Sequence, residues 1–172
     1  WGLVGDPTEG ALVALALKAG LDASAERERT PRVDEIPFES ERCYMATLHH
    51  DHEGRAFVYV KGAPERVLSL CARDARGAPV DAAVWSSRME AAAVQGLRLL
   101  ALARAEVERG SAALSEADLV PRFELLGLVG MIDPPRPEAV AAVGQCRKAG
   151  IRVKMITGDH VVTAAAIGRQ LG

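Results

Sequence analysis

An apolar run that ends at a lysine, a glycine and a proline constrains the middle of this chain more than any other stretch. Residues 55–65 read RAFVYVKGAPE, with an apolar run directly before Lys61. The apolar residues predict a β-strand, Gly62 permits a tight turn, and Pro64 suits the first position of a helix. A lysine between a strand and a helix start could bind a compact anion or a purine, although most lysines at strand ends only face solvent.

The residues before this run predict an antiparallel hairpin. Cys43–His50 alternates between apolar and polar residues as a half-buried strand does, and Asp51–Gly54 has the composition of a turn. Together with Arg55–Lys61, these segments predict two paired strands. Val33–Phe38 predicts a further short strand ahead of the hairpin.

A strong helix start lies near the beginning of the chain. Residues 5–9 read GDPTE, so Asp6 can cap a helix whose first position is Pro7. Glu9 either completes a capping box with Asp6 or contacts a ligand. Further helices are predicted over residues 64–72, 81–95, 138–149 and 161–171, further strands over 97–103, 123–132 and 151–156, and polar connections over 22–32 and 104–122.

Two residues stand in unusual surroundings for their type. Phe38 lies within the polar string PFESER, where it is either an isolated core anchor or a ring presented for stacking on a flat ligand. Arg98 interrupts the apolar run LRLLALA, and a buried arginine is costly unless it reaches a strand edge, a carboxylate or a phosphate. Both residues are therefore candidate ligand contacts.

Charge and composition argue against several classes of protein. The chain has 172 residues, 49% of them hydrophobic, and a net charge of -2 with a pI near 6.1, which argues against a nucleic-acid surface. No apolar run approaches the roughly 18–20 residues that span a bilayer.

The metal-binding residue types form no recognisable motif. An odd number of widely spaced cysteines indicates neither a disulfide scaffold nor a zinc site, and favours a reducing, cytosolic compartment. A histidine cluster near the hairpin tip is interpreted as part of a solvated turn. The residues concerned are Cys43, Cys71 and Cys146, and His49, His50 and His52.

The segment Asp133–Pro137 contains three prolines, which stiffen the backbone and suit a hinge or domain boundary. A helix, the apolar strand Ile151–Ile156 and a second helix follow, which is typical of a parallel α/β sheet. Thr157, Gly158 and Asp159 come at the carboxyl end of that strand, where such sheets place phosphate and metal chemistry.

Four motifs occur in one order along the chain: GDPTEGAL from Gly5, KGAPE from Lys61, GMIDPPR from Gly130 and MITGDH from Met155. In this order and spacing they resemble the P-type cation-transporting ATPases, in wording closest to the calcium-pump-like or sodium/potassium-pump-like branches. The resemblance extends over essentially the whole chain.

The resemblance implies an α/β fold in two parts. Residues 1–130 would be an α+β nucleotide-binding domain without its first strands, with an antiparallel sheet and flanking helices. Residues 131–172 would be a partial, haloacid-dehalogenase-like phosphorylation domain that begins at the DPPR hinge.

The resemblance also implies roles for particular residues. In that family one domain binds ATP and a second carries the aspartate that ATP phosphorylates. Phe38 would stack on the adenine, Lys61 would line the same pocket, and Glu9 would lie near the adenine amino group. The other implied contacts are Arg42 and Gly62 at the nucleotide, Arg98 at the phosphates, Asp133 at the hinge, and Thr157, Gly158 and Asp159 at the transferred phosphate.

The ligand that the resemblance implies is ATP, with magnesium arriving as Mg-ATP because no complete metal site is expected in the chain. The implied partners are the remaining phosphorylation, actuator and transmembrane domains of a pump, and the chain would lie at the cytoplasmic face of the membrane as a soluble fragment. Self-association through residues 131–172 is a further expectation. The motifs DKTGT and GDGxND do not occur in the sequence, so the chain alone is not expected to complete phosphoryl transfer.

One departure from the family pattern lies close to Phe38. Ser40 and Cys43 stand where the family often has an arginine and a lysine, which predicts weaker ATP binding. This leaves open an interaction module of the same fold that has lost nucleotide binding. A soluble phosphatase of the haloacid-dehalogenase type is disfavoured, because the nucleophilic aspartate motif does not occur.

Overall fold

The computed structural model describes residues 6–157 and 161–172, so Gly158 and Asp159 of the predicted phosphate loop lie outside the described residues. The strands are Arg32–Glu39 (β1), Tyr44–His50 (β2), Ala56–Gly62 (β3), Cys71–Asp74 (β4), Arg98–Val107 (β5) and Phe123–Met131 (β6). The helices are Pro7–Lys18 (α1), Ala23–Arg29 (α2), Pro64–Leu68 (α3), Ala82–Val94 (α4), Pro137–Lys148 (α5) and Val161–Gln170 (α6), and Glu116–Asp118 forms a 3-10 turn. The strands form one mostly antiparallel sheet in the order β1-β2-β3-β5-β6-β4, and the predicted α/β class is confirmed.

The chain divides into two compact units. The first comprises Trp1–Pro79 and Ala101–Gly127, and the second comprises Val80–Leu100 and Leu128–Gly172. Strands β5 and β6 each pass from one unit into the other. The boundary after residue 130 between a nucleotide-binding domain and a partial phosphorylation domain stays a prediction.

The core of the first unit forms on one face of three adjacent antiparallel strands. Val58 on β3 is opposite Leu48 on β2 and Ala105 on β5, and all three residues are buried. Successive side chains of a strand point to opposite faces of the sheet. Tyr59 and Lys61 therefore lie on the other face of β3, where they are half-buried.

Gly62 is required by close packing between strands and not by a turn. It is the last residue of β3 and is opposite Tyr44 on β2 and Ala101 on β5. A Cβ at this position would overlap the Cys43 carbonyl oxygen and lie 2.6 Å from the Tyr44 Cα. The expectation of a tight turn at Gly62 is therefore wrong, although α3 begins at Pro64 as predicted.

Three segments of the first unit differ from the sequence-based prediction. Residues 22–32 were expected to be irregular but contain α2, which Asp22 caps by accepting two backbone N–H bonds. The helix predicted over residues 64–72 ends at Leu68, and β4 follows it and pairs in parallel with β6. Strand β5 continues to Val107 because its residues pair with β3. Pairing with a neighbouring strand decides β4 and the end of β5, and local composition does not show it.

The second unit contains α4, α5 and α6, whose bounds lie close to the prediction. The carboxylate of Asp81 caps α4 by accepting from the Ala83 and Val84 amides, and α4 packs against α6. In α6, Thr163 and Ala166 are buried. The helical part of this unit thus follows directly from caps and helix-forming residues.

The strand predicted over Ile151–Ile156 is not formed. The segment has no regular structure and is exposed, and the Ile156 side chain is 97% accessible. A β-strand exists only as part of a ladder, and no described residue of the chain pairs with this segment. The prediction of a buried parallel strand here is therefore wrong for this chain.

Candidate functional site

A cavity of about 510 Å³ opens in the first unit, and its floor is the face of the sheet that carries Tyr59 and Lys61. This volume falls within the range of small-molecule sites. Apolar side chains and charged side chains both face it. Its lining includes Glu9, Leu12 and Val13 of α1, Arg27 of α2, Arg32 and Glu35 of β1, and Met45, Thr47, Tyr59, Lys61 and Leu102 of the sheet.

Lys61 and Glu9, which are 52 positions apart in sequence, meet at this cavity. The Lys61 Nζ donates to the Glu9 Oε1 at 2.7 Å. Asp6 fixes the start of α1 by accepting from the Thr8 amide, and Glu9 lies in the first turn that follows. Because both side chains retain solvent access, the ion pair is of the weak kind that a ligand can rearrange at small cost.

A second ion pair and a further cation line the same cavity. The Arg32 Nη1 donates to the Glu35 Oε2 at 2.5 Å, on the β1 side. Among the described residues, Arg27 has neither a hydrogen-bond nor an ion-pair partner. Arg27 and Arg32 belong to residues 22–32, which sequence reasoning took for a connection and not a site. Asp22, a good helix cap ahead of a run of helix-forming residues, could have indicated that this segment is a helix and not a connection.

His49 is hydrogen-bonded on both sides of its ring. Its Nδ1 lies 2.9 Å from the Thr30 carbonyl oxygen and its Nε2 lies 2.9 Å from the Thr47 Oγ1. The neighbouring His50 Nε2 lies 2.7 Å from the Ser111 carbonyl oxygen. The expectation of a solvated histidine turn is therefore wrong for His49 and His50, which are half-buried in β2, and it holds only for the exposed His52.

Phe38 is presented to solvent. Its side chain is 59% exposed, and it lies where the register of β1 against β2 shifts between Ile36 and Glu39. The interpretation of Phe38 as a core anchor is therefore wrong. It does not line the cavity described above, and its stacking role stays a prediction.

Arg42 is held by carboxylates on two sides. Its guanidinium bonds to Glu39 at 3.0 Å and to Glu116 at 2.5 Å, and it also donates to the Pro37 carbonyl oxygen. Desolvation acts to lower the Arg42 pKa, but the two carboxylates outweigh it, so the pKa is raised above its usual value. The predicted nucleotide contact of Arg42 is not tested by this arrangement and stays a prediction.

The remaining predicted site residues belong to the second unit. Arg98 is the exposed first residue of β5, so it does not interrupt a buried strand as its sequence suggests. Asp133 and Thr157 are exposed and lie outside regular structure. Gly158 and Asp159 lie outside the described residues. The phosphate roles of Arg98, Thr157, Gly158 and Asp159 and the hinge role of Asp133 stay predictions.

Residues 6–157 and 161–172 contain no group of three His, Cys, Asp or Glu side chains that could hold a metal ion. None of the described helices is both long enough and apolar enough to cross a membrane. Cys43, Cys71 and Cys146 are free thiols. Burial raises the pKa of the Cys71 thiol to about 11, which keeps this residue protonated and unreactive at neutral pH.

Residues 1–138 match the family model described as P-type ATPase, cytoplasmic domain N. The chain is 49% identical to Cation-transporting ATPase pma1 of Synechocystis, 45% identical to Probable cation-transporting ATPase F of Mycobacterium tuberculosis and 38% identical to Calcium-transporting ATPase 1 of Lactococcus lactis. These alignments cover 99–100% of this chain and 19–20% of each relative. The chain therefore belongs to the P-type cation-transporting ATPase family, and it spans about a fifth of the length of these relatives.

Proposed function

We propose that this chain binds ATP in the cavity between α1 and the sheet. In this role it is the nucleotide-binding part of an ATP-driven cation pump. It holds ATP while an aspartate elsewhere in the pump accepts the γ-phosphoryl group. Phosphoryl transfer depends mainly on positioning and charge neutralisation, so one domain can hold the nucleotide while another presents the acceptor.

The observation that carries the proposal is the meeting of Glu9 and Lys61 at a cavity with apolar walls. A purine ring is flat and apolar on its faces and carries polar groups only at its edge. Leu12, Met45 and Leu102 supply apolar surface in the cavity lining, and the ion pair supplies both a donor and an acceptor. This combination matches the usual character of ligand sites, in which a few polar groups orient an otherwise apolar contact.

The phosphates would lie outside the cavity that holds the purine. Their proposed contacts are Arg98, Arg42 and the loop Thr157–Asp159, with Asp133 at a hinge that brings the nucleotide to the acceptor. Magnesium would travel with the nucleotide as Mg-ATP, because no described cluster of side chains fits a metal site. The proposed partners are the remaining phosphorylation, actuator and transmembrane domains of the pump, at the cytoplasmic side of a membrane.

The test is a calorimetric titration of the chain with ATP. We expect saturable binding that Lys61→Ala weakens about tenfold, because a hydrogen bond from a charged group contributes roughly 1.5–3 kcal/mol. Phe38 does not line the cavity, so its proposed stacking is on the part of the adenine that the cavity leaves exposed, and Phe38→Ala is expected to weaken binding by a similar factor. Lys154→Ala, in the exposed segment of the second unit, is the matched charge control and should leave the affinity unchanged.

Two results would contradict the proposal. The first is the lack of saturable binding at millimolar ATP. The second is binding that neither Lys61→Ala nor Phe38→Ala changes, since the nucleotide would then lie elsewhere on the chain.

The alternative is an interaction module of the same fold with weakened or lost nucleotide binding. It is favoured by the region around Phe38, where Arg42 is already bound by Glu39 and Glu116 and the Cys43 Sγ contacts the Ser40 carbonyl oxygen. A chain that binds a second domain of the pump but no ATP would support this alternative.

A further inference from the structure

The hydrogen bonds of His49 determine where its ring proton lies. The Thr30 carbonyl oxygen can only accept, so the His49 Nδ1 must carry a hydrogen and donate to it. In the neutral ring the Nε2 then has a lone pair and no hydrogen. The hydroxyl of Thr47, 2.9 Å from this Nε2, therefore donates its only hydrogen to His49.

This arrangement makes Thr47 an acceptor toward the cavity. Once its hydrogen is directed at His49, only oxygen lone pairs remain for a ligand. The ring that imposes this is itself held in place, since His49 is half-buried and packs edge-on against Tyr59 with ring centroids 5.4 Å apart and planes at 82°. The hydroxyl cannot turn to donate without breaking its bond to His49.

Thr47 differs in this respect from the acidic residues of the cavity. One carboxylate oxygen of Glu9 is bound by Lys61, and one of Glu35 is bound by Arg32. Those acceptors are charged and already paired, whereas Thr47 is an uncharged acceptor that lines the sheet face of the cavity. An uncharged acceptor suits an uncharged N–H donor, such as the amino group of a nucleobase.

We propose that Thr47, oriented by His49, is a residue that selects a 6-aminopurine over a 6-oxopurine. The inference rests on the proposed binding of ATP in this cavity. The 6-amino group of adenine donates to Thr47, while the 6-oxo group of hypoxanthine or guanine would place an acceptor against an acceptor and leave both unbonded. Thr47 touches the base in this scheme, and His49 acts as a positioning residue through Thr47.

The test compares ATP with ITP, whose base has an oxo group and a ring N–H in place of the 6-amino group of adenine. We expect wild-type protein to bind ATP roughly two- to tenfold more tightly, as one neutral hydrogen bond implies. Thr47→Val keeps the shape of the side chain and removes the hydroxyl, so it should weaken ATP binding, leave ITP binding unchanged and bring the two affinities to within about twofold. Thr47→Ser keeps the hydroxyl and should keep the preference.

His49 is tested by a second variant and by spectroscopy. His49→Phe keeps a ring against Tyr59 but frees the Thr47 hydroxyl to donate, so it should reduce the ATP preference by improving ITP binding. Nitrogen-15 NMR of the wild-type histidines should show a hydrogen on the His49 Nδ1 and none on its Nε2. A ring protonated at Nε2, or a charged ring, would overturn the proposal even if a variant failed to fold.

The outcomes separate this inference from the proposed function. If Lys61→Ala weakens both nucleotides while Thr47→Val leaves the ATP-to-ITP ratio unchanged, the site stands and the role of Thr47 is wrong. Equal binding of ATP and ITP by the wild-type chain would likewise overturn the role of Thr47. If the wild-type chain binds neither nucleotide, both proposals fail.

Discussion

Strand β3 and the segment Ile151–Ile156 have similar patterns and opposite structures. Both are mainly apolar, as AFVYVKG and IRVKMI, and both predict a β-strand. Strand β3 is paired with β2 on one side and β5 on the other, and its alternate residues are buried. Residues 151–156 have no strand partner among the described residues and lie exposed.

The difference shows that an apolar pattern indicates which segments can form a strand, but not whether neighbouring strands are present to pair with them. A strand becomes stable only when neighbouring strands satisfy its backbone groups and another layer covers its apolar face. In the first unit both conditions are met by residues within the chain.

The largest expected effect comes from removing a large apolar side chain in each region. Leu48 on β2 packs opposite Val58 of β3 and is 1% exposed, so Leu48→Ala should lower the free energy of unfolding by about 3 kcal/mol through the cavity that it leaves in the core. Ile156→Ala should change it by less than about 0.5 kcal/mol, since the side chain is already in solvent. Urea denaturation followed by circular dichroism measures both.

Equal losses of unfolding free energy for these two substitutions would contradict the conclusion that the sheet around β3 is buried while residues 151–156 are exposed. A loss above about 1 kcal/mol for Ile156→Ala would mean that the segment is covered in solution, through self-association for example. Repeating the measurement over a range of protein concentrations would then reveal the association.

A second prediction compares two glycines. Gly62→Ala should destabilise the chain by about 2 kcal/mol, because the added Cβ collides with backbone atoms of Cys43 and Tyr44 that cannot move independently. Gly144→Ala, inside α5 with open space around the added atom, should stabilise by about 0.5 kcal/mol through helix propensity. Thermal denaturation of the two variants would show shifts of opposite sign, and a tolerated Gly62→Ala would contradict the close approach of β2 and β3.

The smallest expected effect is a pH dependence that comes from Cys71. In the folded chain burial raises the pKa of this thiol from 9.0 to about 11. The unfolded chain therefore releases the proton first as the pH rises through 9, so the Cys71 contribution is complete below pH 9 and is lost between pH 9 and 11. A pKa difference of this size implies that roughly 1.5–2 kcal/mol is lost between pH 8.5 and 10.5.

The control for this prediction lies in the other unit. Cys71→Ala should flatten the fall in stability between pH 9 and 11 relative to wild type, whereas Cys146→Ala should not. Denaturation curves at pH 8.5 and 10.5 provide the measurement. An identical fall in all three proteins would assign it to other groups that titrate at alkaline pH.

Most helix starts and the central hairpin were predictable from sequence because their signals are local, whereas α2 was missed. Asp6 and Pro7 begin α1, Asp81 begins α4, and the turn that starts at Asp51 joins β2 to β3, as predicted. Strand β4 was missed because its four residues have no strand-like composition and exist only through pairing with β6. The family, recognised from four motifs, was likewise confirmed by the comparisons.

The candidate site was only partly predictable. Glu9 and Lys61 were identified as site residues from motifs, and the structure brings them into contact. Arg27, Thr47 and His49 were missed, since none of them lies in a motif and their significance depends on contacts across the sheet. The partner of His49 at Thr30 is 19 residues away in sequence, which no local pattern reveals.

The sequence by itself determined the family, most helix starts and most strands of the sheet, because caps, prolines and apolar runs act over a few neighbouring residues. Only the tertiary structure decided that Gly62 serves close packing, that Phe38 faces solvent, and that residues 151–156 form no strand. These outcomes depend on which distant segments come within contact distance. The proposed role of Thr47 likewise depends on tertiary structure, since the ring of His49 bridges the Thr47 hydroxyl and the Thr30 carbonyl oxygen.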